Sequence, residues 1–193
     1  MNMIRIGSKE NIVFVPNLLT TDECVSITNY CESVKLWHSN SYDGSNDKVH
    51  SIASFSDSSL NALKVAVNSL HEKIENRFGR ELGPQFPGIR KWEVGDYQPL
   101  HADGEDTDGN PNEAYAVDYA SVIYINDNYL GGEIEFPLQE IIWKPVSGTA
   151  VFFPANKWFA HKVHEVTCGT RYTSAQFWVP TKHLKLRDFY FSK

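Results

Sequence analysis

Two stretches in the N-terminal half of the chain repeat apolar residues at three- and four-residue steps, which predicts amphipathic helices. The first helix should cover residues 21–34, because Thr20 begins a capping box with the glutamate three residues later. The second should begin at Asp57 or Ser58 and end at Gly79. Its apolar stripe is too short for a coiled coil and favours packing on a sheet. Both helices are therefore predicted to support a sheet.

From about residue 89 the pattern changes to short apolar or aromatic runs separated by glycine, proline, asparagine and aspartate. An earlier run of the same kind covers residues 11–15. Several short strands at this spacing predict an all-β barrel or a double-sheet jelly roll. The later predicted strands cover residues 89–94, 119–125, 133–136, 149–153, 160–166 and 171–179.

These elements together predict a mainly β fold with flanking helices, in the α+β class. We expect a single domain over residues 1–193, because no linker or repeat divides the chain. Residues 1–88 would hold the helical buttress and first strands, residues 89–180 the jelly-roll core, and residues 181–193 a C-terminal extension.

Two polar segments interrupt the predicted elements. Residues 39–48 are rich in turn formers and poor in side chains that pack. Residues 104–118 resemble a calcium-binding loop, but its sixth and twelfth positions are Pro111 and Val117, where such a loop needs glycine and glutamate. Both segments are predicted to be surface loops, and whether they close over a ligand stays open.

Composition and charge narrow the class of protein. Hydrophobic residues make up 41% and charged residues 22% of the sequence, as in soluble globular proteins. The net charge of -6 argues against sequence-independent binding to a phosphate backbone. Three cysteines without a C-x-x-C pair predict neither a disulfide framework nor a zinc ribbon. With no apolar run of about 20 residues and no secretory signal, we expect a soluble cytoplasmic protein.

Candidate chemistry centres on the run from Trp92 to Asp103, W-E-V-G-D-Y-Q-P-L-H-A-D. Residues two apart on a strand face the same side, so His101 and Asp103 present an imidazole and a carboxylate together. A third ligand would complete the 2-His-1-carboxylate arrangement, which holds non-haem Fe(II) and leaves positions open for reagents. By itself H-x-D is a weak signal, because such pairs are mostly surface or hydrogen-bonded groups.

Two later histidines compete for the third position. His161 and His164 lie three residues apart, so on a strand they face opposite sides and cannot both reach one ion. A site that uses a 2-oxo acid also needs a cation for the far carboxylate, and a guanidinium binds it with two parallel hydrogen bonds. Arg171 lies ten residues after His161, whereas the same step from His164 reaches Ser174. The sequence therefore favours His161 as ligand and Arg171 as anchor.

The same residues belong to an ordered set of motifs. I-Y-I-N covers Ile123 to Asn126, G-G-E-I-E-F-P covers Gly131 to Pro137, and H-K-V-H-E-V-T-C-G-T-R covers His161 to Arg171. The set resembles the Fe(II)- and 2-oxoglutarate-dependent oxygenases of the prolyl 4-hydroxylase-like superfamily, whose motif is H-x-D, a distal His, and Lys or Arg ten residues later. The resemblance covers nearly the whole chain. It departs from the family at Trp92, where Tyr is usual.

The resemblance implies a double-stranded β-helix core, the jelly roll of cupin-like proteins. It also implies a dioxygenase that hydroxylates its substrate with 2-oxoglutarate and O2 and releases succinate and CO2, with ascorbate as a candidate reductant. The His-Asp-His set would hold Fe(II), and Arg171 would bind the distal carboxylate of 2-oxoglutarate. The family likeness further places Tyr124 and Trp178 at the co-substrate. The alternative for each residue is that its side chain belongs to the core of the sheet and does not contact the co-substrate.

The substrate implied by the resemblance is a peptidyl proline in a peptide or protein. The alternatives are the same chemistry on a nucleic acid, a free amino acid or another small molecule, and a non-catalytic jelly-roll binding module. Arg171 opposes the module, because a structural metal needs no carboxylate anchor. We expect no membrane or nucleic-acid partner, and a homodimer stays open. The basic, aromatic residues 182–190 are predicted to be a solvated end, with a docking surface or dimer contact as the alternative.

Overall fold

A computed structural model describes residues 7–39, 47–51, 57–112, 114 and 116–183. Most of the predicted loop of residues 39–48 and most of the terminal segment of residues 182–190 lie outside the described residues. Of the predicted C-terminal extension, the described part is one 3-10 turn, Thr181–His183.

Two α-helices, α1 (Thr21–Ser33) and α2 (Asn61–Phe78), agree with the predicted amphipathic segments. The Thr20 hydroxyl accepts from the Glu23 N–H, and the Glu23 carboxylate accepts from the Thr20 N–H at 2.8 Å, so the predicted capping box begins α1. Gly79 ends α2 in the left-handed conformation. Neither helix in the described part of the chain is long and apolar enough to traverse a bilayer. Their buried residues share one core with the sheet: Cys24, Ile27, Cys31, Leu63, Val67, Leu70 and Ile74 pack with Ile89, Ile123, Phe152, Tyr172 and Trp178.

The described part of the chain contains thirteen strands. In chain order they are β1 (Val13–Val15), β2 (His38–Ser39), β3 (Lys48–Ser51), β4 (Leu82–Trp92), β5 (Gln98–His101), β6 (Tyr119–Tyr124), β7 (Leu130–Gly131), β8 (Ile134–Phe136), β9 (Ile141–Trp143), β10 (Ala150–Pro154), β11 (His161–Val163), β12 (Val166–Cys168) and β13 (Arg171–Pro180).

Antiparallel pairing assembles these strands into two main sheets. Seven form the larger sheet in the order β1-β10-β6-β13-β4-β3-β2, and four form the smaller sheet in the order β5-β11-β8-β9. A ribbon of β12 and β7 accompanies them. Side chains from both main sheets line one cavity, so the sheets face each other across it. The predicted mainly β, jelly-roll fold with flanking helices is confirmed.

Several boundaries differ from the prediction because pairing between distant strands overrides local propensity. β4 begins seven residues before residue 89, since it pairs with β13 as far as Leu82 opposite Pro180. The predicted strand of residues 160–166 is divided between β11 and β12. The predicted loop of residues 39–48 is wrong at both ends, because Ser39 and Lys48 pair in β2 and β3.

Candidate functional site

The three predicted metal ligands lie together where two strands of the smaller sheet pair. β5 ends at His101 and β11 begins at His161, and the register places these residues opposite each other. Asp103 lies two residues beyond His101, past the end of β5, and its carboxylate approaches the His101 imidazole. The donor atoms of the three side chains lie within 4.8 Å of one another, and all three residues are buried. This is the donor set of a 2-His-1-carboxylate triad.

The spacing of the donors suits one shared ion. Asp103 Oδ1 lies 3.5 Å from His101 Nε2, and Asp103 Oδ2 lies 3.8 Å from His161 Nε2. Donors about 2.1 Å from one metal ion are separated by roughly 3 to 4 Å, depending on the angle between them.

Backbone carbonyls orient both imidazoles. His101 Nδ1 lies 3.0 Å from the carbonyl oxygen of Pro99, and His161 Nδ1 lies 3.2 Å from that of Phe159. A donated Nδ1–H leaves the Nε2 lone pair for a metal, which is how ligating histidines are usually held. The local chain therefore prepares both rings for coordination.

Burial keeps His161 in its ligating form at neutral pH, and its neighbours do the same for Asp103. The His161 ring packs against the rings of Phe136 and Phe153, with centroids 5.3 and 4.7 Å away. This burial, with the charge of His101, lowers the pKa of His161 to about 4. Burial raises the pKa of Asp103, but nearby positive charge and the hydrogen bond from His101 outweigh it, so the net shift is downward. A carboxylate at Asp103 and a neutral imidazole at His161 are the forms that bind a divalent ion.

Arg171 lies in the same cavity and is only 2% exposed. Its guanidinium carbon lies 4.8 Å from the centre of the Trp92 ring and 5.3 Å from that of Tyr124. Arg171 Nε and Nη1 have no hydrogen-bond partner among the described residues, and neither do the hydroxyls of Tyr124 and Tyr129. Buried polar groups are normally paired. The cluster therefore fits a ligand with several acceptor oxygens, and a carboxylate meets that requirement.

Tyr129 was not predicted from the sequence, because it lies in the turn between β6 and β7. The sequence signal nearest to it is the G-G pair that follows two residues later. Gly132 has a φ of +67°, and a Cβ there would lie 2.8 Å from Arg171 Cδ and 3.1 Å from Tyr129 Cε2. The second glycine of this pair therefore leaves space for both side chains.

Tyr124 and Trp178 occupy different sides of the larger sheet. Tyr124 is fully buried and lines the cavity, and burial raises the pKa of its hydroxyl, so the group is a neutral donor. Trp178 donates its indole N–H to Ser121 Oγ at 2.9 Å and stacks on His71 in the helix-facing core. Trp178 lies seven residues after Arg171 on β13, which is the opposite parity. The structure therefore corrects the placement of Trp178, which is a core aromatic.

His164, the rejected alternative ligand, faces away from the triad. Its Nε2 lies 2.6 Å from Glu135 Oε2, on a carboxylate that also binds Lys162 at 3.0 Å. The structure thus separates the two histidines as strand alternation predicts.

Comparison with known proteins relates part of this chain to one family and its fold to solved structures. Residues 88–179 match the family model described as the 2OG-Fe(II) oxygenase superfamily. A search of curated proteins gave no match. Among solved structures, a viral collagen prolyl hydroxylase from Paramecium Bursaria Chlorella virus-1, in its 2OG complex, is similar with a TM-score of 0.70 and 16% identity. The match covers 90% of this chain and 98% of that one.

Two further structures have the same fold. A prolyl-4-hydroxylase from Pseudomonas putida gives a TM-score of 0.72 at 15% identity, over 88% of this chain and 92% of that one. A prolyl hydroxylase from Trichoplax adhaerens, in complex with a peptide fragment of the hypoxia inducible factor oxygen degradation domain, gives 0.68 at 18% identity, over 90% and 86%.

The family uses Fe(II), 2-oxoglutarate and O2, and the residues present fit these groups. The triad supplies the donors that Fe(II) takes, and the unpaired polar atoms around Arg171 fit a carboxylate. This chain therefore carries a 2OG-Fe(II) oxygenase domain over residues 88–179, in a fold shared with prolyl hydroxylases.

Proposed function

We propose that this protein hydroxylates a proline of a peptide or protein, consuming 2-oxoglutarate and O2 and releasing succinate and CO2. The observation that carries the chemistry is the buried His101, Asp103 and His161 set with Arg171 in the same cavity. The prolyl substrate is supported by the structural neighbours, which are prolyl hydroxylases and include one solved with a peptide. We also propose that the chain acts as a single domain.

The triad would hold Fe(II) from one side. His101 and His161 donate through Nε2, and Asp103 donates through its carboxylate. When bound, the iron supplies the oxygen activation that hydroxylation of a C–H bond requires. Because Asp103 occupies the carboxylate position, the triad keeps its full set of three protein ligands, which is the set expected for hydroxylation.

Arg171 would hold the distal carboxylate of 2-oxoglutarate through Nε and Nη1, the two donors left unpaired. Trp92, which replaces the family's usual Tyr, packs its ring on this guanidinium and donates its indole N–H to Thr173 Oγ1 at 3.2 Å. Trp92 offers no hydroxyl to a carboxylate. The buried hydroxyl of Tyr129, in the connection between β6 and β7, would donate a hydrogen bond to this carboxylate. The hydroxyl of Tyr124 would donate a second one.

Tyr129→Phe tests the contribution of this hydroxyl. We expect the dissociation constant of 2-oxoglutarate to rise roughly tenfold, since a hydrogen bond to a charged group contributes about 1.5 kcal/mol or more. Binding is measured by anaerobic titration of the Fe(II) protein. Tyr119→Phe is the control, because Tyr119 stacks on Phe78 on the helix side of the sheet. Equal affinities in the two variants would remove Tyr129 from the co-substrate site.

The proposed reaction is tested by measuring succinate formation with a panel of proline-rich peptides, nucleosides and free amino acids. We expect peptides to raise the turnover of 2-oxoglutarate above the turnover measured without substrate. Asp103→Ala should abolish both the peptide-stimulated turnover and the turnover without substrate. Stimulation by nucleosides or free amino acids alone would exclude the prolyl assignment. Absence of any turnover in a protein that binds metal would favour a binding module.

A further inference from the structure

The metal cavity contains a second arginine that the family motif does not require. Arg90 precedes Trp92 by two residues on β4, so both side chains face the cavity, which they help to line. The Arg90 side chain is 13% exposed. A guanidinium that is mostly removed from water is costly to desolvate, and the proposed function already assigns the carboxylate anchor to Arg171. Arg90 therefore calls for a separate explanation.

Arg90 is held in place by a fully buried aspartate. Arg90 Nη1 donates to Asp47 Oδ2 at 3.3 Å, and the Asp47 side chain is 0% exposed. Asp47 directly precedes β3, and Val49 of β3 pairs with Arg90 of β4. The bond to Asp47 uses one of the five N–H donors of a guanidinium. Other donors remain for a ligand in the cavity.

Arg90 lines the same cavity as the three metal ligands, His101, Asp103 and His161. Its neighbour across the strand pair in β13 is Thr173, which lines the same cavity. Arg90 thus belongs to the wall that the larger sheet presents to the triad.

Formal charges indicate what kind of ligand Arg90 can accept. The charges of a ferrous ion and Arg171 are balanced by those of Asp103 and the two carboxylates of 2-oxoglutarate. The charge of Arg90 is balanced by Asp47. A further carboxylate from the substrate would therefore lie in a buried site without a counterion, which is strongly unfavourable. A neutral carbonyl oxygen carries no such cost and accepts N–H groups well.

We propose that Arg90 is a substrate-binding residue, whose N–H groups not used by Asp47 bind a main-chain carbonyl oxygen of an uncharged, internal peptide segment. The inference rests on the proposed function, because it requires a peptide in the cavity. It adds that an internal segment is preferred over a free amino acid, whose carboxylate and ammonium groups would both have to be desolvated in the cavity.

The test compares Arg90→Met and Arg90→Lys with wild type. The control is Arg80→Met, whose guanidinium pairs with Asp118 and is 59% exposed. Two quantities are measured: the dissociation constant of 2-oxoglutarate by anaerobic Fe(II) titration, and KM and kcat for the capped proline-rich peptide that most stimulates wild type. Free L-proline is assayed beside the capped peptide.

We expect Arg90→Met to raise the peptide KM about tenfold or more, as for loss of a charged hydrogen-bond donor to the substrate. The peptide KM of Arg90→Lys should lie between those of Arg90→Met and wild type, because lysine keeps the positive charge but lacks the paired N–H donors of a guanidinium. The affinity for 2-oxoglutarate should change by less than about twofold in all variants. If Arg90→Met does not fold, the double variant Arg90→Met with Asp47→Asn replaces it, because it removes the pair together.

An unchanged peptide KM in Arg90→Met would overturn the inference, as would loss of 2-oxoglutarate binding, which would assign Arg90 to the co-substrate. L-proline that stimulates wild type as strongly as the capped peptide would overturn the charge argument. A wild type that no peptide stimulates overturns the proposed function and this inference with it. Peptides that stimulate wild type and Arg90→Met equally overturn this inference alone.

Discussion

Replacing His161 with alanine is expected to weaken binding of Fe(II) by roughly 100-fold or more, because the two donors that remain no longer form a facial set. His161 Nε2 lies 3.8 Å from the Asp103 carboxylate, and no second imidazole of the described residues reaches the triad from β11. Anaerobic calorimetry with Fe(II) measures the change. Because the variant binds Fe(II) poorly, its turnover of 2-oxoglutarate should also disappear.

His164→Ala is the matched control, because His164 lies on the same strand connection and differs in the side it faces. Its imidazole binds Glu135 on the outer side of the smaller sheet. We expect this variant to bind Fe(II) like wild type. The assignment of the third ligand is wrong if His164→Ala loses the metal and His161→Ala keeps it.

The second large effect is expected for Arg171→Met. Removing one partner of a buried charge pair typically costs about 2 to 5 kcal/mol, so we expect 2-oxoglutarate affinity to fall by roughly 100-fold. Fe(II) affinity should stay close to that of wild type, since Arg171 donates to no metal ligand. Arg171→Lys should give a smaller loss, because lysine keeps the charge and cannot bind in bidentate fashion.

Pyruvate provides an internal control for Arg171. It has the 2-oxo acid group that chelates a metal and lacks the distal carboxylate. Wild type and Arg171→Met should therefore bind pyruvate with similar, weak affinity. A variant that keeps wild-type affinity for 2-oxoglutarate would place the carboxylate anchor elsewhere, and Arg90 would be the first residue to examine, because it lines the same cavity.

Local patterns in the sequence were sufficient to predict the helices and the facing of the metal ligands. The capping box at Thr20 and the glycine at Gly79 mark helix ends through backbone hydrogen bonds made by the residues themselves. Strand alternation alone separates His161 from His164, and the structure shows this separation. Such features depend on neighbours within a few positions, so they can be read without the fold.

Features that depend on distant pairing could not be predicted. Asp47 lies in a segment of turn formers, yet it is buried because Arg90, 43 residues later, binds it. Tyr129 lies in a turn and reaches Arg171 only after β6 and β13 pair. Trp178 shows the opposite case. Strand parity relative to Arg171 places it in the helix-facing core, which is the alternative to its placement by family likeness.

The proposed function requires that one chain binds one ferrous ion through the triad and one 2-oxoglutarate through Arg171. Anaerobic titration of the wild-type protein, followed by visible absorption, measures both binding events. We expect a metal-to-ligand charge-transfer band that needs both Fe(II) and 2-oxoglutarate and saturates at about one equivalent of each. A folded protein that develops no such band when both are present would exclude the proposed iron and 2-oxoglutarate site.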